Sequence, residues 1–235
     1  MACRTRSSPT TYPQSRRAPL LIGCMALLLT GSVAEPETVK LISQQTFDTI
    51  IVEGRVVDGT GNPWFFADIG IRGEAIAVVG NLSDAAAATV IDATRRIVAP
   101  GFIDLHSHAD EGRVSLANPE AASAPNLVTQ GITTVVVGQD GRCQCPVGER
   151  AVLYRRQGVG VNVVQLVGHG SIRQQVMGRE ARQSTPQEVA AMADLVRQAM
   201  NEGADGLSSG LEYNPGRYSI TDEVIELAGV VAEFG

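Results

Sequence analysis

"PGFIDLHSHADEG", Pro100–Gly112, runs from an apolar segment into two histidines one residue apart, His106 and His108, with an acid, Asp110, two positions later. On a β-strand, residues i and i+2 leave the same face with Cα atoms roughly 6.5–7 Å apart, so two imidazoles can converge on one cation at about 2.0–2.1 Å from each nitrogen. The whole chain has three histidines, and placing two of them at this spacing points to a metal more strongly than to hydrogen-bonded rim residues. The third, His169 in "VGHGS", also ends an apolar run and reads equally as a buried hydrogen-bonding residue or as part of a binding site.

Downstream of Pro100, apolar strands alternate with helical patterns, which is the grammar of βα units on a parallel sheet. "GFIDLHSH" reads as a first strand, "ITTVVVGQDG" as a second, "VNVVQLVGHG" as a third and "ADGLSSGLEY" as a fourth. Between them, "NPEAASAPNLVTQG" is a weak helix that Pro125 should break, and "VGERAVLYRRQG" is a firmer one. The clearest helix is "TPQEVAAMADLVRQAMNEG". Thr185 caps it, Pro186 takes its first position, Glu188 completes a capping box and Gly203 closes it. Val189, Met192, Ala193, Val196 and Met200 share one face, so the methionines are core packing. "TDEVIELAGVVAEFG" is the last helix. Four such units make either an open sheet or the front half of an eight-unit barrel.

Upstream, residues 46–98 are short, β-branched and punctuated by Gly, Asn and Asp, which reads as a small layer of antiparallel strands. Residues 1–34 read as an export signal: four arginines precede "APLLIGCMALLLTG", and "SVA" offers small residues for cleavage. The expected organisation is therefore a signal over 1–34, a β domain over 35–98 and the βα units over 99–235. It predicts an exported protein, periplasmic or secreted.

Four of the 19 basic residues and none of the 25 acidic ones lie in that leader, so the remainder carries a formal charge of −10. No basic run remains to suggest a nucleic-acid partner or, once the signal is removed, a membrane surface. Beyond the leader the cysteines are Cys143 and Cys145 in "GRCQCP", readable as a local disulfide or as two thiols. Two acids close predicted strands and can project over the same mouth as the histidines: Asp140 in "VVVGQDG" and Glu212 in "LSSGLEY". Asp140 is also good turn chemistry and Glu212 a solvated loop acid, so they stand as rival ligands, with Glu212 slightly favoured.

"DTIIVEGRVVDGTG", "VAPGFIDLHSHAD", "GITTVVVGQDG", "LVGHGSIR" and "GADGLSSGLEYNPG" occur in this order. Together they resemble the amidohydrolase superfamily and, within it, the D-aminoacylases (N-acyl-D-amino-acid deacylases), over nearly everything from Thr46 onward. The resemblance implies an α/β fold: the first half of a (β/α)8 barrel of TIM type, about four βα units, beside a small N-terminal β-sandwich. It implies one or two zinc ions and a small-molecule N-acylated amino acid as substrate. His106 and His108 would be first-strand ligands. Where D-aminoacylases place a bridging Cys this chain has Asp140, a departure that makes Glu212 the better bridging candidate. His169 and Tyr213 would contact substrate. The remaining histidine ligands and the general-base Asp would lie on strands beyond residue 235, so this chain alone is expected to be inactive. Other readings are a hydrolase of other C–N bonds, such as a dipeptidase or cyclic amidase, or a metal-binding half-barrel without activity.

Overall fold

A computed structural model describes residues 46–113 and 115–235. The expected signal at 1–34 lies outside the described residues. Two compact units are present, one of residues 46–50 and 69–90, the other of 51–68 and 91–235.

The N-terminal β layer contains β1 (Thr46–Val56), β2 (Phe65–Arg72), β3 (Ala75–Gly80), β4 (Ala86–Asp92) and β5 (Ile97–Val98). They form one sheet in the order β3-β2-β1-β4, with β5 also on β1. β2 and β3 are separated at Gly73-Glu74, where Gly73 takes φ +58° and turns the chain. Not every pair is antiparallel: β5 runs parallel to β1, with Arg55 opposite Ile97 and Val56 opposite Val98.

Beyond Pro100 the strands are β6 (Phe102–Asp104), β7 (Ile132–Val137), β8 (Asn162–Gly168) and β9 (Gly206–Ser208). They pair in chain order, β6-β7-β8-β9, and every pairing is parallel. Sequential parallel order is what successive right-handed βα units produce as they curve into a barrel wall. β7 is β-branched along its length; Val135 and Val137, on one face, are fully buried, and Ile132, Thr134 and Val136, on the other, are partly buried.

The helices are α1 (Pro125–Val128), α2 (Val147–Gln157), α3 (His169–Met177), α4 (Pro186–Asn201) and α5 (Thr221–Ala232). α1 is a single turn, bounded by Ala124 in the left-handed region at φ 47° before it and by Gly131 at φ 80° after it. The α4 capping box is complete: Thr185 Oγ1 accepts from Glu188 N–H, and the Glu188 carboxylate accepts from Thr185 N–H at 2.8 Å. Val189, Met192, Ala193, Val196 and Ala199 form its buried face and pack with Leu227 and Val230 of α5 and Val167 of β8. A second core gathers Leu116, Val135, Val137, Tyr154 and Val161 around β7. α3 is an element the periodicity did not announce: nine residues with a polar majority, folded directly off the end of β8 and stopped by Gly178.

Candidate metal centre

The strand carrying the histidines is shorter than its sequence implies. β6 ends at Asp104, and His106 and His108 lie on the segment just beyond it. The reason is local: Asp104 Oδ1 accepts the His106 N–H at 3.2 Å, so that amide leaves the ladder. Ser107 N–H still reaches Val136 O at 3.0 Å, which holds the segment beside the end of β7 although the chain bends at Leu105 and His106. The two rings still come together, 5.4 Å apart at 61°.

Asp140 meets them from the loop after β7. Its Oδ1 is 3.6 Å from His106 Nε2 and its Oδ2 is 3.5 Å from His108 Nε2. Among the described residues, His106, His108 and Asp140 are the His, Cys, Asp and Glu side chains whose donor atoms gather, all within 4.8 Å of one another. Two tetrahedral zinc ligands at 2.0–2.1 Å from a common ion are about 3.4 Å apart, so these separations fit a shared cation. Two imidazole nitrogens and a carboxylate are also a donor set that suits zinc. The three side chains are partly open to solvent, with 61%, 45% and 28% of their surface exposed, which leaves room for further ligands.

The Asp140 loop is held by its neighbours. Asp140 adopts φ 56°, in the left-handed region that aspartate tolerates better than bulkier residues. Gly210 packs so closely that a Cβ on it would stand 2.1 Å from Asp140 O. Ser208, at the end of β9, donates to Gly138 O and accepts the Gly141 N–H at 3.1 Å. Gln139 donates to Leu105 O at 2.9 Å and Val136 O at 3.0 Å, tying the ends of β6 and β7.

The other sequence candidates sit elsewhere. Glu212 is four residues past the end of β9, in a turn, and is not part of the donor group. Asp110, so close to the histidines in sequence, is buried with one oxygen unpartnered, and burial raises its pKa. The neighbouring Tyr154 phenol is pushed up to about 12 by burial and then by the Asp110 charge. His169 is fully buried, with Nε2 2.7 Å from Glu223 Oε1. Arg173 and Ser184 donate to the other Glu223 oxygen. Burial opposes ionisation of Glu223, but the hydrogen bonds from His169, Arg173 and Ser184 outweigh it and hold the carboxyl well below its ordinary pKa. Cys143 and Cys145 are joined in a disulfide.

Tyr213 lines a cavity of about 470 Å³ that also includes Asp140, Arg142, Ser171, Gln174 and Arg179. The two arginines had no signal in the sequence beyond the closeness of Arg142 to Asp140. No helix among the described residues is long and apolar enough to cross a membrane.

Comparison with known proteins agrees with this arrangement. The chain is 36% identical over 214 residues to a D-aminoacylase of Alcaligenes xylosoxydans xylosoxydans, covering 81% of this chain and 43% of that protein. It is 38% identical to the N-acyl-D-glutamate deacylase of the same organism, covering 82% and 43%. The chain thus spans less than half the length of these curated relatives. Its fold superposes with a TM-score of 0.71, at 36% identity and over 80% of this chain and 44% of the other, on an N-acyl-D-glutamate deacylase from Bordetella bronchiseptica. That structure holds zinc and a phosphonate inhibitor mimicking the tetrahedral intermediate of the reaction. The sequence profile described as "Amidohydrolase family" matches residues 89–226, more than half of the chain and the whole of the parallel sheet with its donor group, and the chain belongs to that family.

Proposed function

We propose that the protein hydrolyses the amide bond of N-acyl-D-amino acids, and that this chain supplies the first four strand–helix units of the barrel together with the first metal ligands. The observation that carries the reading is Asp140, whose two carboxylate oxygens face the Nε2 atoms of His106 and His108 at 3.6 and 3.5 Å. In this reading His106 and His108 would hold zinc, with Asp140, rather than Glu212, as the carboxylate ligand beside them. Zinc bound there would supply Lewis-acid polarisation of an amide carbonyl and acidify water toward neutral pH.

The chain's own residues then bind and orient. Glu111 Oε1 lies 3.6 Å from His108 Nδ1, on the side of the ring away from the Nε2 that faces Asp140, where its charge would favour Nε2 as the ligand atom. Tyr213 walls the cavity next to Asp140, where the acyl amino acid would lie. In this reading the group that moves the proton to the leaving amine would come from later strands of the barrel. Relatives named for D-amino-acid substrates support the substrate class.

Two further parts of the reading concern the rest of the protein. The disulfide between Cys143 and Cys145 favours an oxidising compartment, in keeping with export to the periplasm or beyond after loss of residues 1–34. The sheet β1–β5 is read as part of a β-sandwich domain over 35–98.

Assaying the whole translated product, zinc-loaded, on N-acetyl-D-glutamate, N-acetyl-D-leucine and their L enantiomers tests the proposal. Hydrolysis of a D substrate with the L form untouched is expected; hydrolysis of neither D substrate would remove it. Residues 1–235 alone should show no measurable turnover.

A further inference from the structure

The cavity beside Asp140 is lined by two acids, Glu111 and Asp140, and by two arginines, Arg142 and Arg179, that no ion pair among the described residues engages. Elsewhere in the barrel unit, Arg173 is paired with Glu223, Arg182 with Glu180 and Glu188, and Arg197 with Asp194 and Glu233. Arg142 and Arg179 both line the cavity, and neither has a carboxylate partner among the described residues.

Arg142 is held in place without being neutralised. Its N–H donates to Gln139 O at 2.9 Å, closing the turn that presents Asp140. Its guanidinium lies 5.0 Å from the centroid of the Tyr213 ring, a cation–π contact that fixes direction and leaves the charge available. The disulfide at Cys143 and the Cys143 N–H bond to Ser171 Oγ at 2.9 Å anchor the next residue. A planar guanidinium fixed at the wall of a polar cavity, next to a metal-binding carboxylate, matches the two oxygens of a substrate carboxylate.

We propose that Arg142, steadied by Tyr213 and reinforced by the charge of Arg179, determines specificity by pairing with a carboxylate of the substrate. The proposal rests on the amide-hydrolase reading and extends it. Two carboxylates offer this chemistry, the α-carboxylate common to all N-acyl amino acids and the side-chain carboxylate of an acidic one.

The test uses the whole translated protein, zinc-loaded, as wild type, Arg142→Gln and Arg142→Lys, with kcat and KM measured on N-acetyl-D-glutamate and N-acetyl-D-leucine. Arg142→Gln should lower kcat/KM roughly 10- to 100-fold, mainly through KM, as expected for loss of a charge-assisted pair. Arg142→Lys should recover only part of it. A loss on both substrates assigns the α-carboxylate and a loss on N-acetyl-D-glutamate alone assigns the side chain. No loss on either, or a loss in kcat with KM unchanged, overturns the proposal. Calorimetric titration with N-acetyl-D-glutamate separates this from the parent reading. If the wild type binds it tenfold or more tighter than Arg142→Gln without hydrolysing it, the pairing stands and the proposed reaction falls; equal or undetectable binding in both, without hydrolysis, overturns the pairing as well.

Discussion

Glu223 shows how a single residue links pH to the integrity of this site region. Its carboxylate, fully buried, accepts from Arg173 and Ser184 and is paired with His169, so its pKa in the fold lies well below the ordinary 4.5. A lowered pKa means that the folded state prefers the ionised form, so the contribution is complete above about pH 4.5 and disappears as pH falls toward about 2. Acid denaturation followed by circular dichroism should therefore show stability falling across that window, and Glu223→Gln should flatten the fall. The same substitution should cost about 3 kcal/mol or more at neutral pH, because it leaves the Arg173 charge buried without its partner. In the sequence, Glu223 is one of two acids opening a helix and looks like ordinary complement to the helix dipole. Nothing local reveals that the helix start is packed against His169, 54 residues earlier. That His106 and His108 come together, by contrast, was legible from spacing alone. That Asp140 rather than Glu212 lies beside them was not, since it depends on where β7 and β9 stop and on how Gly138–Gly141 turns.

At the scale of elements, glycine and capping decide more than apolar periodicity does. Gly210→Ala would drive a methyl group into Asp140 O, which stands 2.1 Å from the position of the added Cβ. The Asp140 loop must shift to admit it, and zinc affinity measured by competition with a chromophoric chelator should fall at least tenfold, as for mutations that misplace ligands. A Gly210→Ala variant with wild-type affinity would show that this contact does not position the ligand. Thr185→Ala removes the side-chain acceptor at the start of α4 and should cost about 1 kcal/mol in urea unfolding, with the m-value unchanged. α4 was readable in full because cap, first-position proline and apolar face agree. α3 was not, because His169–Met177 has a weak apolar stripe and draws its order from burying His169, Ile172, Arg173 and Met177 against its surroundings.

For the whole molecule, β6 is an edge strand of the parallel sheet among the described residues. β6 pairs with β7 on one side, while Phe102, Ile103 and Leu105 stand 62%, 59% and 73% exposed. Apolar residues at the edge of a parallel strand are ordinarily covered, since such sheets are buried on both faces. That exposure, and the coverage of less than half of the curated relatives, fit a barrel wall that further βα units complete. The sequence revealed four units by their alternation. The count of eight came only from resemblance, because barrel closure depends on strands that periodicity within these residues cannot supply.

Zinc stoichiometry tests the central claim most directly. The whole translated protein, purified and freed of loosely held ions, should carry at least one tightly bound zinc per chain by atomic emission. The paired substitution His106→Ala with His108→Ala should abolish that zinc while leaving the far-ultraviolet circular dichroism intact. A correctly folded protein without zinc, or a double variant that keeps its full complement, would contradict the account.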